Sequence, residues 1–340
     1  MGVKVTCKTV ISAFDYFLKE IVNLDNNRTI KARSSRDWLI NQINLIGESD
    51  EFPNLYAEKN IFFGSFARRT KIRELDDIDI MICLLAEGST YNENSYFTEN
   101  IEINVPNSNN ILQKLCHDGS NRLNSTKVIN LFLKNIKNVN QYSSAEIHKN
   151  HEALTLKLKS YEWNFDIVPC FFTTTNTEGK TYYIIPDGSG YWKKTDPRID
   201  RDNLTNLNQY HDGNILNVIR LIKYWNRKKS IGIKSSYLLE NIVINYYKEI
   251  STKCTQYPDI EMKNVLKYLK TAIFNNVPDP QNIQGNLNNI EYNEACNILN
   301  KVDYYYKLVC EARELEGKSD MKQSIKKWRE VLGDDFPDYE

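Results

Sequence analysis

The sequence predicts an α+β fold, with strands and helices mixed over its first part and helices alone over the remainder. Two observations carry this. Apolar residues alternate with polar ones through Asp77-Ile78-Asp79-Ile80-Met81-Ile82, through Ala153–Lys159 and through Trp163–Val168, the period of a half-buried strand. From about residue 211 the period becomes helical: Ile215, Val218, Ile219, Ile222 and Trp225 fall on one stripe, and the pattern returns at 236–250, 261–274, 292–315 and 320–332. The change falls near 190–212, and the length of 340 residues fits one large or two ordinary domains.

In chain order, residues 8–24 read as an amphipathic helix through Val10, Ile11, Phe14, Phe17, Leu18 and Ile21. A second helix covers 35–47 (Trp38, Leu39, Ile43, Leu45), with Ser34 and Ser35 able to cap its start. A strand follows at 77–84, then loop, strand and loop over 87–110, where Ile101, Ile103 and Val105 alternate. A short helix at 111–119 precedes a strand or second helix at 120–135. The runs 153–159 and 163–168 form an antiparallel pair turning around Ser160-Tyr161-Glu162. The Asn-rich stretch 282–293 reads as a loop, and the tail after Gly333 as frayed.

Composition narrows the function. Hydrophobic residues make up 41% and charged residues 26%, as in an ordinary soluble protein. Acids and bases balance at 44 each, so any polyanion site must be local rather than a global field. No apolar run approaches the ~20 residues that span a bilayer, and the N-terminus lacks a signal-peptide core, so a cytoplasmic protein is expected. Met1-Gly2 with Thr6 matches the loose myristoylation pattern, which is short enough to match by chance. The seven cysteines are scattered and never form a Cys-x-x-Cys pair, which predicts reduced thiols. His148 and His151 have no cysteine nearby to complete a zinc set and read as solvated.

The chemistry concentrates in Gly64-Ser65-Phe66-Ala67-Arg68-Arg69-Thr70 and the strand after Leu75. On that strand Asp77 and Asp79 share a face, while Ile78, Ile80 and Ile82 point to the core. Two carboxylates side by side repel unless a cation sits between them. Hard oxygen ligands at this spacing suit Mg²⁺, which takes one or two carboxylates plus substrate phosphates. The Gly64-Ser65 turn offers backbone N–H groups and a hydroxyl for phosphate oxygens. Acids one residue apart occur on many solvated strands; the turn upstream is what makes the pattern specific.

This arrangement resembles the nucleotidyltransferases related to DNA polymerase beta, whose signature is Gly-Ser, a spacer, then Asp-x-Asp on a strand. The spacer, with Arg68, Thr70 and Ile72, looks most like the branch holding oligoadenylate synthetases, cyclic GMP–AMP synthase and the bacterial cGAS/DncV-like nucleotidyltransferases. Phe165-Asp166-Ile167-Val168-Pro169 resembles the family's third-carboxylate strand, which implies a catalytic role for Asp166; alone, it could be a buried structural acid. Tyr183–Gly188, with Trp192, Thr195, Asp196 and Pro197, is similar to a segment that follows the catalytic strands in bacterial cyclic-oligonucleotide synthetases, although Pro-Asp-Gly is also a generic turn. Leu221-Ile222-Lys223-Tyr224-Trp225 resembles the helix whose lysine contacts the triphosphate, and Lys223 is placed on a basic face with Arg220 and Arg227. Lys234–Glu240 resembles the Ser-Tyr segment, implying that Ser236 binds a phosphate oxygen and Tyr237 stacks on a base. Val277-Pro278-Asp279-Pro280 resembles part of the helical domain of oligoadenylate synthetases.

The resemblance covers about 60–285 and implies a polymerase-beta-like core over 25–200, a helical lobe over 201–340, and an N-terminal helix, 1–24, packing across both lobes. It implies a cyclic di- or trinucleotide synthase with catalytic and metal-binding Asp77, Asp79 and Asp166, and nucleotide-binding Gly64, Ser65, Lys223, Ser236 and Tyr237. Two Mg²⁺ ions, with Mn²⁺ as substitute, nucleoside triphosphate substrates, an antiphage role and a separate effector that reads the product follow from the same resemblance. No zinc-ribbon insertion of the animal enzyme is present, so no nucleic-acid activator is expected. The alternatives are a linear oligonucleotide synthetase or RNA nucleotide-adding enzyme, for which a zero net charge offers no basic track, and a catalytically silent nucleotide sensor, which has no physical reason to keep three repelling acids.

Overall fold

The computed structural model describes residues 5–92 and 100–340; Met1 and Gly2 of the myristoylation pattern, and part of the loop expected over 87–110, lie outside them. The strands are β1 (Thr6–Cys7), β2 (Ile61–Phe63), β3 (Asp77–Leu84), β4 (Thr90–Tyr91), β5 (Ile103–Asn104), β6 (Glu146–Asn150), β7 (Ala153–Lys157), β8 (Asn164–Phe172), β9 (Tyr183–Pro186), β10 (Trp192–Thr195) and β11 (Asp338–Tyr339). The α-helices are α1 (Val10–Phe17), α2 (Asn26–Gly47), α3 (Gly64–Ala67), α4 (Asn110–Gln113), α5 (Ser125–Lys137), α6 (Pro197–Tyr210), α7 (Ile215–Lys228), α8 (Ser236–Glu249), α9 (Pro258–Ala272), α10 (Tyr292–Gly317) and α11 (Met321–Leu332). They divide into two units: Asn26–Arg68 with Leu75–Arg201, and Met1–Asp25 with Arg69–Glu74 and Asp202–Glu340.

The first unit is built on a mixed sheet in the order β10-β9-β8-β3-β2, with β7 on β8 and β6 on β7. β8 is the hub. One edge pairs in parallel with all of β3, while the other is shared, antiparallel, by β7 over Asn164–Ile167 and by β9 at Phe171 and Phe172. One face of β3 and β8 presents the fully buried Ile80, Ile82, Phe165 and Ile167. The other face changes along its length, from Asp77, Asp79 and Asp166 to an apolar cluster of Ile61, Met81, Cys83, Val168 and Cys170. The expected hairpin of 153–168 is present as β7–β8. The segment 120–135 resolves to the helix α5, with Asn124 capping it by accepting from the N–H groups of Thr126 and Lys127. His148 lies on β6 and His151 at its turn, both exposed, and all seven cysteines are free thiols.

α2 starts at Asn26, nine positions before the expected 35. Its buried stripe is Ala32, Ser35, Leu39 and Ile43, two of which are too small or polar to register as a core pattern. Ser35 is therefore no cap: it is buried mid-helix, donating to the Ala32 carbonyl and accepting from Trp163 Nε1 at 3.2 Å. Leu45, assigned to the apolar face, is 58% exposed.

The second unit is helical, with its core made by α7, α8, α9, α10 and α11 around Trp225, Leu266, Val302 and Trp328. α1 belongs to this core: Phe14 meets Trp328 edge-on at 4.8 Å and Phe17 meets Tyr224 at 5.0 Å. Ile11, read as part of its stripe, is 49% exposed, and beyond Phe17 the helix widens into a π-turn over Leu18–Val22. The tail is not frayed. β11 pairs in parallel with β1, and Phe336 is buried against Phe14 and Phe17. A buried aromatic here stabilises by about 1.5–3 kcal/mol, enough to hold a short terminus. Among the described residues no helix is long and apolar enough to cross a membrane.

Candidate active site

The site starts from strand register. The parallel pairing of β3 and β8 sets Asp79 opposite Asp166 and Asp77 opposite Asn164. β2 places Phe63 opposite Asp79, and β7 places Thr155 opposite Asp166. Phe63, Asp79, Asp166 and Thr155 thus form one row across four strands, pointing to the same face. All three carboxylates are half-buried. Like charges opposite one another destabilise a sheet, so this row carries a cost that fold stability alone does not explain.

Two contacts shape the row. Gly64 follows Phe63 directly, with φ +70, and a Cβ there would lie 1.8 Å from Asp79 Oδ2. Glycine is required twice over, by the left-handed backbone and by the close approach of the carboxylate. Ser65 is the next residue of α3. On the far side Thr155 Oγ1 donates to Asp166 Oδ1 at 2.6 Å.

Among the described residues no three His, Cys, Asp or Glu side chains close around a common point as a metal cage. The donor set still fits a hard divalent cation: it is all oxygen, and Mg²⁺ completes its shell from water and substrate phosphate rather than from a full protein cage.

The spacer after the Gly64-Ser65 turn belongs to the helical unit. Thr70 is wholly buried and Ile72 joins that unit's core. Arg73 donates Nε to the Asn23 carbonyl at 3.0 Å, and Arg227 donates to the Arg73 carbonyl at 2.6 Å.

Lys223, Ser236 and Tyr237 also lie in the helical unit. Lys223 does not lie on an open basic face with Arg220 and Arg227, as the sequence placed it. It is 6% exposed, donating to Glu240 Oε1 at 2.5 Å and to the Thr70 carbonyl at 3.0 Å. The reason is Glu240, itself 1% exposed, which supplies the counter-charge that lets a lysine be buried. Its neighbour Arg220 is also withdrawn from water, and burial lowers its pKa to about 10. Ser236 is exposed in the first turn of α8, where Ser235 rather than Ser236 caps the helix by accepting from Leu238 N–H. Tyr237 is half-buried, and its hydroxyl points at Asp279 Oδ1, 3.5 Å away. Asp279 is fixed by the N–H groups of Gln281, Ile283 and Gln284, so the Pro278-Asp279-Pro280 turn and the Ser-Tyr segment meet. The Pro186-Asp187-Gly188 segment is a turn, with Asp187 accepting from the N–H groups of Ser189 and Tyr191.

Sequence reading missed Thr155 and Glu240. A hairpin centred on Ser160-Tyr161 pairs Thr155 with Asp166, so the first was recoverable from the turn position. The second is the one acid on the buried face of α8, within reach of an α7 lysine.

No protein-family model matches the chain. It is 47% identical over 337 residues to a probable cyclic nucleotide synthase of Bacillus cereus, covering 98% of this chain and 99% of that protein. The chain belongs to the bacterial cGAS/DncV-like nucleotidyltransferases. A second relative, the cyclic AMP-AMP-AMP synthase of an Acinetobacter species, is 25% identical over 197 residues, 55% of this chain and 54% of that protein. Among solved structures, the Vibrio cholerae DncV cyclic AMP-GMP synthase in complex with the linear intermediate 5′ pppA(3′,5′)pG superposes with a TM-score of 0.68. That match covers 99% of this chain and 98% of the other at 12% identity, so it speaks to the nucleotidyltransferase fold. A cyclic-oligonucleotide-synthesising nucleotidyltransferase has this architecture, a polymerase-beta-like sheet and a helical lobe.

Proposed function

We propose that this enzyme joins nucleoside triphosphates into a cyclic di- or trinucleotide by metal-dependent transfer, releasing pyrophosphate. The observation that carries the reading is the in-register pair Asp79–Asp166 beside the glycine that only a bare backbone can fill. Asp77, Asp79 and Asp166 are the residues to hold two divalent ions, Mg²⁺ or Mn²⁺. Ions bound there would neutralise phosphate charge and acidify the attacking ribose hydroxyl. The chain's own part is placement. Ser65 and the Gly64 backbone approach phosphate oxygens, and Ser236, in the first turn of α8, offers a hydroxyl at a helix N-terminus, where anions are favoured. Lys223, its charge already met by Glu240, acts through the Thr70 carbonyl by holding the spacer that follows the Gly64-Ser65 turn, and Tyr237 supplies a ring on which a base can stack. A hydroxyl of one nucleotide attacks the α-phosphate of another, the P–O bond to pyrophosphate breaks, and a second transfer closes the ring.

The Acinetobacter and Vibrio relatives, named for a cyclic trinucleotide and a cyclic dinucleotide, support this product class. The product is read as a second messenger of antiphage defence, made in the cytoplasm and sensed by a separate effector protein.

The test is a product assay. Purified protein is incubated with labelled ATP, GTP, CTP and UTP and Mg²⁺ or Mn²⁺, treated with phosphatase and resolved. A phosphatase-resistant product that D79N does not make establishes the activity, and omitting one triphosphate at a time names its bases. A ladder of phosphatase-sensitive oligomers would replace this reading with a linear synthetase.

A further inference from the structure

Asp79 and Asp166 each meet a non-acidic neighbour at the edge of the carboxylate row. The Gly64 backbone crowds Asp79 Oδ2, and the Thr155 hydroxyl binds Asp166 Oδ1 at 2.6 Å. Thr155 is only 6% exposed, and its β7 neighbours Leu154 and Leu156 are wholly buried. A β-branched side chain in such a strand has little rotational freedom, so the hydroxyl is a fixed donor. The next residue on its face, Lys157, is engaged instead with Glu146 at 3.3 Å. A hydrogen bond to one oxygen of a carboxylate removes its free rotation about Cβ–Cγ and determines where the second oxygen lies.

We infer that Thr155 is a positioning residue for the reaction: its hydroxyl fixes the rotation of the Asp166 carboxylate toward the ion and the attacking hydroxyl. This rests on the reading of Asp166 as a metal-binding carboxylate. It assigns β7, which carries no acid of its own, a part in the site. Valine would fill the same space as threonine, so packing alone does not call for the hydroxyl.

The experiment compares T155V, T155S and D166N with the wild-type chain. Mn²⁺ affinity is measured by titration without nucleotide, and kcat and KM for ATP by pyrophosphate release. Loss of a group that orients a ligand weakens metal binding or turnover by about 10–100-fold. T155V is therefore expected to bind Mn²⁺ about tenfold more weakly and to lose kcat with KM held within about twofold, while T155S stays within about threefold of wild type on both. T155V equal to wild type in Mn²⁺ affinity and kcat overturns the inference, and so does T155S failing as badly as T155V, which would mean packing. D166N retaining Mn²⁺ affinity removes instead the reading of Asp166 on which the inference rests. If T155V does not fold, T155A repeats the comparison without the added methyl.

Discussion

Asp79 and Asp166 stand directly opposite one another on adjacent parallel strands, half-buried and alike in charge. Removing one charge relieves repulsion within the sheet while taking away half of the pair that would hold an ion. D79N is expected to lower synthesis by about 10³-fold or more, with thermal stability unchanged or slightly raised. Parallel turnover and melting measurements decide it. Full activity in a clean D79N preparation would detach this row from catalysis.

Gly64 tests the same row from its backbone side. Alanine there must adopt φ +70 and place its methyl 1.8 Å from Asp79 Oδ2, so either the turn or the carboxylate must move. G64A should lower stability by about 1–3 kcal/mol and reduce turnover together. A urea melt and a rate measurement on one preparation separate the two. Wild-type values for both would mean that the turn tolerates a side chain and does not constrain Asp79.

The buried pair Lys223–Glu240 makes an asymmetric prediction. Removing one partner leaves the other charge uncompensated in the interior, which typically costs about 3–5 kcal/mol, whereas removing both is far milder. K223M alone should therefore destabilise more than K223M/E240L, as read from a double-mutant cycle of denaturant melts. Equal destabilisation of the single and double variants would show that the pair is not coupled, and that Lys223 owes its buried position to something else.

These residues show where sequence legibility stops. The strand bearing Asp77 and Asp79, the 153–168 hairpin and the helical period from Ile215 onward were readable because each element has one apolar face facing a core, which leaves a period in the sequence. α2 began nine residues early because its buried face is made of Ala32 and Ser35, and small residues carry no hydrophobic signal. Lys223 was misplaced for a related reason: a charged residue off an apolar stripe looks solvated until its counter-charge is found on another helix. Thr155 carries no signal of its own, because a threonine in a strand is an ordinary β-former; only the hairpin register, readable from the turn at Ser160-Tyr161, pairs it with Asp166 and gives it a role.

Tyr237 separates ring from hydroxyl. Its contact with Asp279 is long, 3.5 Å, so the hydroxyl contributes little to holding the turn. Y237F should keep wild-type nucleotide affinity. Y237A, losing a stacking surface, should weaken binding by about 1–3 kcal/mol with the fold retained. Titration of ATP against both variants by calorimetry provides the measurement. Equal affinity for Y237A and wild type would take Tyr237 out of the nucleotide site.

The C-terminal tail yields the last prediction. Phe336 is buried against Phe14 and Phe17, and the adjoining Asp335 accepts from Lys228 Nζ at 2.5 Å and from the Tyr224 hydroxyl at 2.8 Å. F336A should destabilise the chain by about 3–5 kcal/mol, as expected for a core aromatic rather than a loose end. Lys228, helped by Tyr224 and opposed by partial burial, holds the Asp335 carboxyl below its ordinary range. A carboxyl with a lowered folded pKa contributes stability that is present above its unfolded value and is lost as pH falls through the folded one. D335N should therefore lower stability at neutral pH and flatten the acid limb, which in the wild type falls as pH drops from the ordinary aspartate range through the lowered folded value. Melts of both proteins from neutral pH downward test this. An acid limb as steep in D335N as in the wild type would assign acid sensitivity to other carboxylates.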